Sequence, residues 1–148
     1  MKAHVISIVI LFVLVTGFGY AIHGILLAGA YAQSPVPARE PILFHWLLAG
    51  NVFFSVAFYG LYRHWRVTDR TVIRGLTYGV MIWMLWGVPI FLIDYASQPI
   101  ADSLVAKQLG LEFIDMLALG IAVALLESWT RRFRSNQIPT KPDNKTDS

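Results

Sequence analysis

The sequence predicts an all-α membrane protein of four transmembrane helices, arranged as two helical hairpins. Three observations carry that prediction. The segments 5–30, 42–62 and 75–93 contain no Asp, Glu, Lys or Arg, and each is long enough to cross a hydrocarbon core of about 30 Å as a helix. The composition, with 56% hydrophobic and 14% charged residues and a mean hydropathy of +0.57, lies outside the balance of a soluble domain. Ten of the twelve Lys and Arg residues also fall where alternating loops would place them on one side of a bilayer. Spans are expected at about 5–30, 42–62, 75–95 and 105–127, within a membrane domain covering 1–128.

The first span follows Met1 and Lys2, and its run into Ala30, Tyr31 and Ala32 looks like a secretory signal with a small-x-small cleavage site that would leave a chain starting at Gln33. A signal core is about 7 to 15 residues long, and this stretch exceeds that length, so a retained first helix is expected. Gly17, Ala21, Gly24 and Ala28 recur at spacings of four and three, a strip of small residues along which a neighbouring helix can approach closely. The strip would serve packing within the chain or a homodimer contact.

The second span carries Asn51 near its middle and His45 in its outer half. It leads into a connection with Arg63, Arg66, Arg70 and Arg74. Together with Lys2 and with Arg131, Arg132, Arg134, Lys141 and Lys145 after the fourth span, these residues predict cytoplasmic N and C termini. Arg39 and Lys107 remain on the outer side. The basic pI of about 9.4 is thus a topology signal, and no nucleic-acid partner is expected.

The third span begins with Gly75 and Gly79, a second small-residue pair, and contains Pro89. Proline removes a backbone donor, so a kink is expected in the outer half. Trp46, Trp65 and Trp129 near span ends are read as interfacial anchors. After span three, Tyr95-Ala-Ser-Gln-Pro-Ile echoes Tyr31-Ala-Gln-Ser-Pro-Val after span one at an offset of 64 residues, which also aligns Asn51 with Asp115. A duplicated hairpin explains this, and so does the ordinary placement of proline and aromatic residues at helix ends.

The fourth span is interrupted by Lys107, Glu112 and Asp115, with Gly120 and Ala124 as a further packing pair. A charged group at mid-membrane costs roughly 2.5 to 3.5 kcal/mol, while a Leu or Ile returns only about 0.3 to 0.6 kcal/mol, so neither carboxyl should face lipid. Gln108, Glu112 and Asp115 share one helix face. A buried polar layer is therefore expected, with His23, His45, Gln108 and Glu112 at one depth and Asn51 and Asp115 beneath. Glu40, Asp94 and Asp102 would lie near the outer mouth. Residues 129–148 are expected to form a disordered polar cytoplasmic tail.

Three uses of that layer compete. Sheltered carboxyls can hold and release protons, so Glu112 and Asp115 could couple proton movement to a small substrate in a homo-oligomeric transporter or channel. Small multidrug transporters share the four-helix plan, but their signature glutamate lies in the first span, where this chain has none. His23 and His45 could ligate a metal or haem with a carboxylate, although they lack the i, i+4 spacing of a helical pair. The layer could instead fix helix register in a non-enzymatic membrane component or accessory subunit, as a homodimer or within a larger membrane complex. With no cysteine, thiol chemistry is excluded. No phosphate loop, nucleophile elbow or zinc-protease motif is present, so no enzyme, cofactor or metal site is expected.

The order Tyr31, Arg39, Trp46 to Gly50, Tyr62, Gly75, Gly79, Pro89, Tyr95, Pro99, Lys107, Gln108 and Gly120 resembles a group of small bacterial four-span inner-membrane proteins with no assigned activity. The resemblance covers roughly Tyr20 to Leu126. It implies the four-helix fold and a bacterial inner membrane, and it transfers no catalytic residue.

Overall fold

A backbone surrounded by apolar side chains and hydrocarbon satisfies its N–H and C=O groups only within itself, so long apolar runs become helices. The computed structural model describes residues 2–34 and 42–135. In it, α1 (Lys2–Gly19) continues through a π-helical segment (Tyr20–Leu26) and is followed by the short α2 (Ala28–Tyr31). After these come α3 (Phe44–His64), α4 (Thr71–Ile82), a second π-helical segment (Trp83–Gly87), α5 (Val88–Ser97) and α6 (Asp102–Ser135). The fold is all-α, and four helical stretches are long and apolar enough to cross a membrane: Lys2–Leu26, Phe44–His64, Thr71–Ser97 and Asp102–Arg132.

Between 17% and 28% of each apolar window is buried inside the bundle, so most of the apolar surface faces outward. Phe53, Leu85 and Val13 are more than half exposed. That much outward apolar surface suits acyl chains and would be an aggregation liability in water.

The expected break in the third span is present, but it takes a different form from a simple proline kink. Pro89 cannot donate a hydrogen bond, and its ring crowds the carbonyl four residues back. The chain relieves this by widening the preceding turns, and the Val88 N–H reaches the Trp83 carbonyl five residues back. Span one widens similarly without proline, where the Leu27 N–H bonds to the Ile22 carbonyl at 2.8 Å. Gly17, Gly19 and Gly24 weaken the α-helical preference there. The 64-residue offset carries Tyr20–Leu26 onto 84–90, which overlaps the second π segment. The two odd-numbered spans therefore share this irregularity.

The tightest contact in the bundle joins α4 to α6. A Cβ added at Gly75 would lie 2.5 Å from the Gly120 carbonyl oxygen and 3.0 Å from Ala124 Cβ. One added at Gly79 would lie 2.9 Å from the Met116 carbonyl carbon. Main chain thus meets main chain, as small residues allow. The strip expected on the first span behaves otherwise, because Gly17 has open space beside it and Gly24 meets only the Tyr20 ring of its own segment. Among the described residues no other helix covers either glycine.

Leu11, Phe58, Tyr62, Tyr78, Leu119 and Val123, all at most 2% exposed, form the centre of the main core. It fills the half of the bundle nearer the chain termini. A smaller cluster of Ile22, Leu27 and Leu104 lies toward the far end. Arg74, expected as a connection residue, is instead buried on α4, and its side chain closes the end of α3. Its Nε donates to the Trp65 carbonyl, its Nη2 donates to the Tyr62 carbonyl at 3.0 Å, and its guanidinium lies 4.5 Å over the Tyr62 ring. A cation at a helix C-terminus satisfies orphan carbonyls and the helix dipole together.

The helical boundary expected near 128 is also displaced, since α6 continues through Ser135. The Arg131 Nε donates to Glu127 one turn back at 3.2 Å, and Thr130 Oγ1 lies 3.1 Å from Ser7 Oγ of α1, so the turn through Thr130 and Arg131 is tied to the bundle. The remainder of the expected tail, and Arg39 and Glu40, lie outside the described residues.

Candidate functional site

The face of α6 predicted from spacing is the one that turns inward at the far end. Gln108 is 8% exposed and Asp115 9%, while Glu112 is partly buried between them. The π-helical turn of span one brings His23 against this face, and its Nε2 lies 3.0 Å from Glu112 Oε1. Tyr31, at the end of α2, completes the group. Its hydroxyl is 2.7 Å from His23 Nδ1 and accepts a hydrogen bond from Gln108 Nε2 at 2.8 Å.

One assignment of donors and acceptors gives every member of this chain of bonds a partner. The Gln108 amide can only donate to the Tyr31 oxygen through its NH2, so the Tyr31 O–H is left to donate to His23 Nδ1. His23 then carries its proton on Nε2 and donates to Glu112. Burial, reinforced by the Glu112 charge and opposed by the Gln108 hydrogen bond, raises the Tyr31 phenol above its ordinary value. The phenol therefore keeps its proton and its role as donor.

Asp115 sits three residues further along the same face. Its Oδ1 is buried with no hydrogen-bond partner, the single such side-chain atom among the described residues. A buried carboxylate oxygen without a donor is costly. Asp115 is thus where the layer has unmet demand for a proton or cation.

Of the six residues expected to converge, His23, Gln108 and Glu112 do so, with Asp115 just below them. Asn51 does not join them. Its Nδ2 donates to Thr16 Oγ1 at 3.1 Å and ties α3 to α1. His45 is exposed on α3, its ring 5.6 Å from the Trp46 ring. Among the described residues no three His, Asp or Glu side chains come together in a way that could hold a metal ion. Both His23 ring nitrogens face protein partners.

A second polar network, unforeseen in the sequence, lies at the end carrying the termini. His4 Nδ1 is 2.7 Å from the Tyr59 hydroxyl, which donates to Glu127 Oε2 at 2.9 Å, while Arg131 Nε holds Oε1. Glu127 is only 6% exposed, yet both its oxygens are occupied. Each network thus joins a histidine of the first span, a tyrosine and a glutamate of α6. The two glutamates are fifteen positions apart on α6, about 22 Å at 1.5 Å per residue. The interval is filled by Leu119, Val123 and the glycine contacts with α4.

Tyr31 and Glu127 are the residues that sequence reasoning missed. Helix termination accounts for Tyr31 in the sequence, although its place two turns beyond His23 is a usable signal. Glu127 carries no sequence signal beyond its i, i+4 spacing from Arg131. Comparison with family models, curated proteins and solved structures finds no match.

Proposed function

We propose that the chain is a non-enzymatic component of a bacterial inner membrane, with both termini in the cytoplasm, whose polar residues hold four helices in one register. The supporting observation is that Glu112 and Glu127 are bonded to residues from other helices: Glu112 to His23, and Glu127 to Tyr59. Polar bonds of this kind are worth about 0.6 to 2 kcal/mol each between membrane helices, enough to select one arrangement over near neighbours. The basic residues support this orientation, because Arg63, Arg66, Arg70, Arg131 and Arg132 sit at the same end as Lys2. Its partners are the bilayer and either a second copy or a larger membrane complex.

The test is purification in a mild detergent with identification of co-purifying chains, followed by proton-flux measurement in liposomes. A stoichiometric larger partner, and liposomes no leakier to protons than protein-free ones, is the expected result. Proton flux that disappears in Glu112→Gln or Asp115→Asn would overturn it.

One observation favours a second reading, proton-coupled transport or conduction by a homo-oligomer, and that observation is the bare Asp115 Oδ1 beside a directed relay. His23 can accept a proton from Tyr31 at Nδ1 while releasing one from Nε2 to Glu112, and Tyr31 is reprotonated from outside. The relay ends above the apolar interval that reaches Glu127, so passage across the whole membrane requires a second conformation. The same flux assay separates the two readings.

A further inference from the structure

At the end carrying the termini, a cavity of about 180 Å³ opens between the close of α3, the start of α4 and the last turns of α6. It is lined by Tyr62, Asp69, Thr71, Arg74, Glu127 and Arg131, with Ser128 beside them. The volume corresponds to about six water molecules, so a small polar group fits and a large apolar one does not. Its charge pattern is specific, with two guanidinium groups facing two carboxylates and a net charge of zero, in a region otherwise rich in Arg. A bare anion would be held off by the carboxylates, and a bare cation by the arginines.

The groups with capacity to spare divide by sign. Arg131 uses Nε on Glu127, and Arg74 uses Nε and Nη2 on the α3 carbonyls, so each retains Nη donors. Thr71 adds a hydroxyl, whereas the Ser128 O–H already donates to the Leu125 carbonyl at 2.8 Å. On the acidic side Glu127 has both oxygens engaged, by Tyr59 and Arg131, whereas Asp69 is exposed and makes no hydrogen bond or ion pair among the described residues. The cavity therefore offers a cluster of donors and, beside it, one unengaged carboxylate.

We propose that this cavity binds a phosphate ester carrying a primary ammonium, the chemistry of phosphoethanolamine, with the phosphate on the Arg131 and Arg74 Nη groups and the ammonium on Asp69. Guanidinium donors match phosphate oxygens in number and geometry. A primary ammonium donates three hydrogen bonds and a trimethylated one donates none, so choline headgroups lack the contact to Asp69. Glycerol headgroups lack the positive charge altogether. Two sources share the required chemistry, the headgroup of phosphatidylethanolamine in the membrane and the soluble molecule.

The experiment uses the full chain in nanodiscs and delipidated in detergent, with native mass spectrometry counting retained lipid against phosphatidylethanolamine, phosphatidylglycerol and phosphatidylcholine, and with soluble phosphoethanolamine as a separate arm. Preferential retention of phosphatidylethanolamine assigns the lipid, and binding of phosphoethanolamine without lipid preference assigns the soluble molecule. Asp69→Asn, at an exposed position, should lower that binding about tenfold while phosphatidylglycerol binding, freed of one carboxylate's repulsion, does not fall. Equal retention of all three lipids with no binding of phosphoethanolamine, or full ethanolamine binding in Asp69→Asn, would overturn the proposal.

Discussion

Gly75→Ala puts a methyl group where backbone already stands. The added Cβ would sit 2.5 Å from the Gly120 carbonyl oxygen, 2.9 Å from its carbonyl carbon and 3.0 Å from Ala124 Cβ. Ordinary contact needs about 3.5 Å or more, so α4 and α6 must separate by roughly an ångström over this stretch. A long flexible side chain could turn aside, but a carbonyl in a helix cannot. Overpacking of a close-packed site costs about 1 to 3 kcal/mol, and the immobility of the obstacle places Gly75→Ala toward the upper end. The matched control is Gly60→Ala on α3, where nothing lies within 4 Å. There the change gains helix propensity, about 0.5 to 1 kcal/mol, with no clash. Reversible unfolding of both variants in the same detergent mixture should therefore show opposite signs. Gly75→Ala as stable as wild type within about 0.5 kcal/mol would show that the two helices do not meet through their backbones, and the description of the bundle would fail with it.

Three further outcomes are expected. Glu112→Gln should keep most of the stability, because its amide oxygen still accepts from His23 Nε2, whereas Glu112→Leu strands that donor and should cost about 1 to 3 kcal/mol in the same unfolding assay. Tyr31→Phe removes the hydroxyl shared by His23 and Gln108 and should cost a similar amount, about 1 to 3 kcal/mol. The Tyr31 phenol is raised in the folded chain, so its contribution is complete below the unfolded value near 10 and is lost as pH rises through the higher folded value. The stability difference between wild type and Tyr31→Phe should therefore be flat to about pH 10 and shrink above it. Arg74→Lys cannot serve two carbonyls from a planar fork or stack on Tyr62, and thermal unfolding should show a loss of about 1 to 3 kcal/mol.

The four spans were legible because hydrophobic length is a property of consecutive residues. So was the inward face of α6, since Gln108, Glu112 and Asp115 lie on one uninterrupted helix. What was not legible is rotation. A π-helical turn inserts an extra residue and shifts the phase of everything beyond it by about 100°, so no periodicity count could say that His23 would meet Glu112. His45 and Asn51 were placed at suitable depth, but depth leaves direction open, and they face Trp46 and Thr16 instead. The network at the other end escaped for a related reason. His4, Tyr59 and Glu127 come from three distant segments, and each alone looks like an ordinary span-end residue.

The backbone-to-backbone join between α4 and α6 gives the molecule a stiff base. With carbonyls of one helix seated against the other, neither a hydrocarbon tail nor a file of water can wedge between α4 and α6 at that level. A rearrangement that kept this join intact would have to take place at the His23–Glu112 end.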